Sequence, residues 1–217
     1  MGTAVIQLLV LAGIAIFLIL RLRSVLGTRE GFEKPPVPVE RRAADRGFEV
    51  IEGGPDRDIT DHVKDGSADA KALAAMKAAE PSFSVTEFLG GARGAYEMIL
   101  MAFENGDLSE VRGFLSDDVV EAFESVIEDR KAKGLHIEAT FVGVRETAIH
   151  EAEFDDGQKL AEIAVKFVGE LTSVVKNAES EVVEGSATDI KRQRDVWTFA
   201  RTMGSNDPNW QLVATSE

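Results

Sequence analysis

The chain has 217 residues, 24 of them basic and 38 acidic, for a net charge of −14. A length of this order holds one domain with appendages or two small domains, and the acidic balance leaves no basic surplus to neutralise nucleic-acid phosphates. Cysteine is absent, which excludes disulfides, thiolate metal sites and a cysteine nucleophile, while a hydrophobic fraction of 44% is too high for a wholly disordered chain.

The first 23 residues differ from the rest. Residues 1–20 carry no charged side chain, and Arg21 and Arg23 follow. About 20 uncharged residues at about 1.5 Å rise span roughly 30 Å, the thickness of a bilayer core. Residues 1–23 are therefore expected to form a single transmembrane anchor. A cleaved signal peptide would carry its positive charge before the apolar run and small residues at a cleavage site; here the arginines come after it. Because positive flanks stay on the cytoplasmic side, Arg21, Arg23 and Arg29 predict an N-terminus outside and a cytoplasmic C-terminal body. Residues 24–66 read as a disordered tether. Three prolines in Pro35-Pro36-Val37-Pro38 favour extended backbone, and Arg41 to Gly66 mixes charge with isolated apolar residues and shows neither period. A tether of this kind raises the local concentration of the folded body for membrane-bound partners.

Ser67 to Glu80 is alanine-rich and predicts a short helix over 67–80, with Ser67 or Asp69 as cap and Pro81 past its end. Leu73 and Met76 could dock it on the body. Ser84 and Glu87 have the spacing of a capping box and open a long helix to about Glu104, with Phe88, Ala92, Tyr96, Ile99 and Phe103 on its apolar face and Asn105-Gly106 as its stop. Asp107 is read as the cap of a short helix. Ser116 starts another that ends at the basic turn Arg130, Lys131, Lys133 and at Gly134.

After Gly134 the period changes from 3.6 to 2. Strands are expected at Ile137–Phe141, Ile149–Phe154, Ala161–Leu171, around Trp197 and Phe199, and from Trp210 to Ala214, with a hairpin turn at Asp156-Gly157. Helices followed by antiparallel strands indicate an α+β domain over 81–217. A strongly bent sheet around a long helix would make a cone with an apolar cavity at its wide end. Tyr96, Met98, Phe103, Phe141, Phe167 and Trp197 are the candidate lining of that cavity; the alternative for each is a packed core. Gly90-Gly91-Ala92-Arg93-Gly94 falls inside the helical pattern and is read as close packing against the sheet.

Several stretches resemble a known family. They are Leu22 to Gly31 ahead of Pro35-Pro36, Phe88-Leu89-Gly90-Gly91-Ala92-Arg93-Gly94-Ala95-Tyr96, Ala102-Phe103-Glu104-Asn105-Gly106-Asp107, and the closing strings Asp195 to Arg201 and Asp207 to Thr215. Together these resemble the alphaproteobacterial TimA-like proteins, bacterial relatives of the C-terminal domain of mitochondrial Tim44. The resemblance implies a nuclear-transport-factor-two-like, or cystatin-like, cone and an adaptor held at the inner membrane, and it brings no catalytic motif and no cofactor. The mitochondrial relatives bind the import channel, a chaperone and anionic lipid; no segment here matches the chaperone-binding part.

Three function classes follow. The leading expectation is a non-enzymatic adaptor at the cytoplasmic face of a bacterial inner membrane, with protein partners in translocation or envelope assembly. The second is a cone that binds lipid or a small apolar ligand. The third is an enzyme of the kind that uses an Asp or His in such a cone, for which His136 at a strand start would be the candidate. His62, His136 and His150 are the only histidines and form no metal-ligand spacing. Arg21 and Arg23, with the densest basic cluster of the body, Lys191, Arg192 and Arg194, are the candidate contacts to anionic headgroups. The body's strong negative charge opposes a general lipid-surface role and favours basic partners.

Overall fold

The computed structural model describes residues 54–216, and these fall within one compact unit. The anchor expected over residues 1–23 and the tether up to residue 53 lie outside the described residues. Four α-helices precede four strands: α1 (Arg57–Thr60), α2 (Ala68–Ala79), α3 (Val85–Asn105), a 3₁₀ turn (Arg112–Phe114), α4 (Asp117–Ala132), β1 (His136–Asp155), β2 (Leu160–Lys176), β3 (Val182–Thr202) and β4 (Gln211–Ser216). The strands form one antiparallel sheet in the order β1-β2-β3-β4. The α+β expectation holds.

Within the residues expected as tether, 57–60 form α1 and pack on the body. Ile59 in α1 is buried, and Asp58 bonds across to the start of α3: its carboxylate accepts from Val85 N at 2.8 Å and Thr86 N at 2.9 Å. The Ser84 hydroxyl also donates to it at 3.1 Å. Isolated apolar residues such as Ile59 show no period because a tertiary neighbour, not a local element, buries them. The expected cap at Ser84 forms, with Ser84 Oγ accepting from Glu87 N at 3.3 Å. Asp58, 26 residues earlier, adds a second cap by taking the next two amides, Val85 N and Thr86 N, while Glu87 makes no bond back to Ser84 N. Helix α2 docks as its pattern allows: Leu73 and Met76 are fully buried, and Asp69 accepts from Ala152 N on the edge strand β1 at 3.1 Å.

Gly106 closes α3 in the left-handed region, φ +70°, where a side chain would be strained, and Asp107 N returns to Ala102 O. Asp107 caps no regular helix; its carboxylate accepts from Ser109 N at 2.9 Å, and only the 3₁₀ turn follows. Helix α4 has Ser116 as its cap, and Ser116 N bonds Leu212 O at 2.9 Å, which ties the helix start to β4.

The stretches read as two strands at 137–141 and 149–154 are one strand, β1. Three register shifts against β2 leave Val142, Arg145 and His150 as extra residues. Each bulge advances the alternation by one position, so the two-residue period appears to stop and restart, and each bends the strand. Strand β3 begins at Val182, well before the expected Trp197 region. Its first half is exposed nearly throughout, so it lacks the apolar alternation that marks a half-buried strand.

The core lies between α3 and the inner sheet face: Ala161, Ile163, Val165 and Phe167 of β2, Trp197 and Phe199 of β3, and Leu212 of β4 meet Phe88, Ala92, Tyr96 and Ile99. Each such large side chain contributes about 1.5–3 kcal/mol on burial.

Candidate docking groove

The centre of the bent sheet is filled. Tyr96 is wholly buried. Its ring stacks on Phe167 with centroids 4.5 Å apart and lies 4.7 Å from Trp197 and 6.3 Å from Phe141. Gly169 makes room for it, since a Cβ there would stand 2.6 Å from the Tyr96 hydroxyl. That hydroxyl donates to Asp195 Oδ2 at 2.5 Å, and Gln193 Nε2 donates to Oδ1 at 3.0 Å. Burial first, then the bond to Asp195, pushes the Tyr96 phenol far above its usual range. The buried carboxylate and hydroxyl thus satisfy each other. Phe103 sits elsewhere, 4.6 Å from Phe123 and beneath the Arg130 guanidinium at 4.4 Å.

Of the six residues expected to line an interior cavity, Tyr96, Phe141, Phe167 and Trp197 pack together, Phe103 packs toward α4, and only Met98 lines a hollow. Met98 is 41% exposed. It lies two residues beyond Tyr96, and at about 100° per residue that places it on the opposite side of the helix.

One hollow that Met98 lines is a groove along the flank of α3, reaching from the exposed Gly91 and Met98 down to the core residues Phe88, Ala92 and Ile99. Its cavity measures about 390 Å³, within the range of ligand and side-chain pockets. Gly91, Ala95 and Met98 form its floor, and Phe83, Phe88, Phe114, Phe199, Pro208 and Trp210 form its walls. Phe83, Phe88 and Trp210 touch one another, with centroids 4.6–6.3 Å apart. Gly90, Gly91 and Gly94 do not pack against the sheet: a Cβ at any of them meets nothing within 4 Å. Gly90 and Gly94 lie on the side of the helix away from Tyr96, and Gly91 borders the hollow beside Ala92 and Ile99. The spacing of Gly91, Ala95 and Met98 carried that signal. The walls could not be read from it, because they come from four separate segments.

One ion pair fixes the far wall. Arg201 has a side chain only 9% exposed and pairs with Glu80 Oε1 at 2.5 Å. It also donates to Pro208 O at 3.0 Å and lies 5.3 Å from the Trp210 ring centroid. Its Nε has no partner. Glu80 accepts from Gly204 N at 2.8 Å. That bond, with Arg201 after it, outweighs burial and holds the Glu80 carboxyl below the usual range. The turn carrying Trp210 is thereby fastened to the end of α2.

A second hollow of about 570 Å³ continues along α3 from Met98, lined by Gly94, Glu97, Met101, Ala102, Asn105, Asp107, Ser109 and Glu110 among others.

The basic cluster does not form one face. Lys191 pairs in register with the inward Leu171 and Arg192 with the outward Glu170, so neighbours point to opposite sides of the sheet. Arg192 and Arg145 both bond Glu170 Oε1, at 3.1 and 2.5 Å, and hold that carboxyl below its usual range. Burial pushes Glu104 up, against the pull of Arg130 and Lys191. Arg194 is exposed; Arg21 and Arg23 lie outside the described residues. His136 and His150 are exposed, and His62 Nε2 bonds Thr86 Oγ1 at 3.0 Å. Among the described residues no cluster of His, Asp or Glu could hold a metal ion, and no helix is long and apolar enough to cross a membrane.

Helices laid on one face of an antiparallel sheet, with aromatic rings packed at its centre and a groove along the flank of α3, define an α+β domain. The family model of the Tim44-like domain matches residues 69–217, and the chain belongs to that family. Among solved structures it is similar to the intermembrane space region of the chloroplast protein ARC6, at 12% identity over 60% of this chain and 92% of that chain, with a TM-score of 0.39. A search of the curated proteins found no match.

Proposed function

We propose that this chain is a non-enzymatic adaptor of the alphaproteobacterial TimA-like kind. In this reading residues 1–23 anchor it in a bacterial inner membrane, and the Tim44-like domain docks protein partners on the cytoplasmic side, in translocation or envelope assembly. The domain corresponds to the nuclear-transport-factor-two-like cone with its interior occupied by aromatic side chains. Membership of the Tim44-like family supports the reading. The observation that carries it is the placement of open apolar surface: Tyr96, Phe167 and Trp197 fill the centre of the sheet, and a hollow with aromatic walls opens to solvent along the flank of α3. An open groove with aromatic walls suits a partner's side chains. Crosslinking of the full chain in intact membranes, followed by identification of the captured molecules, tests it. Specific protein partners at the membrane are expected. Recovery of a stoichiometric lipid without any protein, or of the mature chain in the soluble fraction without its first 23 residues, would overturn it.

A further inference from the structure

Strand β3 has an open side. Strand β4 pairs with it only from Val196 to Ala200, so residues 191–195 have β2 on one side and, among the described residues, no strand on the other. Val196 turns its carbonyl toward β4, where Ser216 Oγ donates to it at 3.3 Å. Backbone groups alternate sides along a strand with a period of two residues. Arg194 and Arg192 therefore turn their N–H and C=O groups to that same side, past the end of β4. The edge has a definite start: Ser186 Oγ accepts from Thr188 N and Asp189 N, both at 3.2 Å, and residues 187–190 drop out of the register with β2. The edge is also basic. Lys191, Arg192 and Arg194 lie on it. Arg192 is held by Glu170, whereas Lys191 and Arg194 make no ion pair among the described residues. Ile190 beside them is 57% exposed.

We propose that the open edge of β3 at residues 191–195 takes up an extended, acidic segment of a protein partner as an added strand in line with β4. This rests on the adaptor reading and deepens it, by naming a docking surface and the chemistry of what it takes. Main-chain bonds to Arg192 and Arg194 would hold the segment, and its side chains would select it. Lys191 stands in register with Leu171 on the inner sheet face and Arg194 with Val168 on the outer. Successive residues of an extended segment alternate faces, so carboxylates three positions apart reach one cation each. Opposite charges directly across a strand pair favour it, and like charges oppose it. That rule chooses among occupants. An antiparallel second copy centred on Gln193 would set Arg192 opposite Arg194, the usual device by which a charged edge refuses its own kind. An anionic lipid surface offers no row of N–H and C=O groups to a strand edge. The chain's net charge of −14 opposes an acidic partner at long range, so the selection acts at contact, within a screening length of about 8 Å.

The test uses the full chain in phosphatidylcholine nanodiscs and fluorescent peptides of about eight residues, a little longer than the edge. Valine and threonine make up the peptides, with glutamate at every third position in one and lysine in the other. The readout is fluorescence anisotropy, with empty nanodiscs subtracted. The glutamate peptide is expected to bind at least about tenfold more tightly than the lysine peptide. N-methylation separates strand pairing from charge alone: methylating one alternate set of the glutamate peptide's amides should weaken binding about tenfold or more, and methylating the other set should be tolerated. Arg194→Glu is expected to weaken the glutamate peptide and strengthen the lysine peptide, each by at least about threefold. Should that variant lower the thermal midpoint, Arg194→Ala carries the test, with at least about threefold weaker binding of the glutamate peptide expected. Absence of binding, equal binding of the two charge types, tolerance of both methylated sets, or unchanged binding by the variants would overturn the proposal. So would self-association of the chain that the glutamate peptide disrupts. A null result here beside partners captured in membranes would leave the adaptor reading standing; peptide binding without any captured partner would do the reverse.

Discussion

The two faces of α3 are built from the same 21 residues and carry opposite kinds of surface. The inner face presents Phe88, Ala92, Tyr96 and Ile99, all buried. The outer face presents Gly90, Gly91, Gly94 and Met98, all exposed. On the inner face aromatic rings fill space, and Gly169 exists to let one ring come close. On the outer face glycine creates space that no side chain of the domain enters. A glycine therefore has two meanings in this fold, and only what faces it tells them apart.

The sharpest way to break this comparison is to truncate one residue on each face. Tyr96→Ala is expected to cost about 3–5 kcal/mol, as for other large aromatic truncations in cores, whereas Met98→Ala should stay within about 0.5 kcal/mol. Urea unfolding of both variants measures the difference, and similar losses would mean that the outer face is covered after all.

A smaller effect is expected where the segment before α2 meets α3. Removing the cap in Asp58→Ala should cost about 1–2 kcal/mol. Burial opposes the charged form of Asp58, but the Lys77 ammonium, Thr86 and the amides of Thr86 and Val85 outweigh it and hold the carboxyl far below the usual carboxylate range. A depressed carboxyl stabilises the fold above its unfolded pKa of about 3.9 and loses that contribution as the pH falls below it. The gap in unfolding free energy between the natural chain and Asp58→Asn should therefore be constant from pH 5 to 8 and narrow below about pH 4. A gap that widens with acid would show that the cap is not ionised.

The smallest effect has the opposite sign. Gly94→Ala places its Cβ in open space and relieves the entropic penalty of glycine in a helix, so it should stabilise by about 0.5–1 kcal/mol. A loss of stability, read from the thermal midpoint, would show that the outer face is packed.

Much of the fold was legible. Ser84 and Gly106 bound α3, Ser116 and Gly134 bound α4, and the change to a two-residue period after Gly134 marks the sheet, because caps and periodicity are local properties. The continuity of β1 was hidden by its bulges at Val142, Arg145 and His150, each of which shifts the phase of the pattern. The early half of β3 was hidden because solvent meets both of its faces. The site was less legible. Met98 and Tyr96 are both large and sit two residues apart, and burial separates them where composition cannot.

The sequence by itself determined the three long helices, where they are capped, the helix-then-strand order that makes the domain α+β, and the acidity of its surface, since each depends on neighbours a few residues apart. Only the tertiary structure decided that aromatic rings fill the centre of the sheet, that Lys191 and Arg192 point to opposite sides of it, and that Phe83, Phe114, Phe199 and Trp210 converge beside Gly91. Those outcomes depend on which distant side chains compete for the same volume, and a chain's local pattern carries no record of that competition.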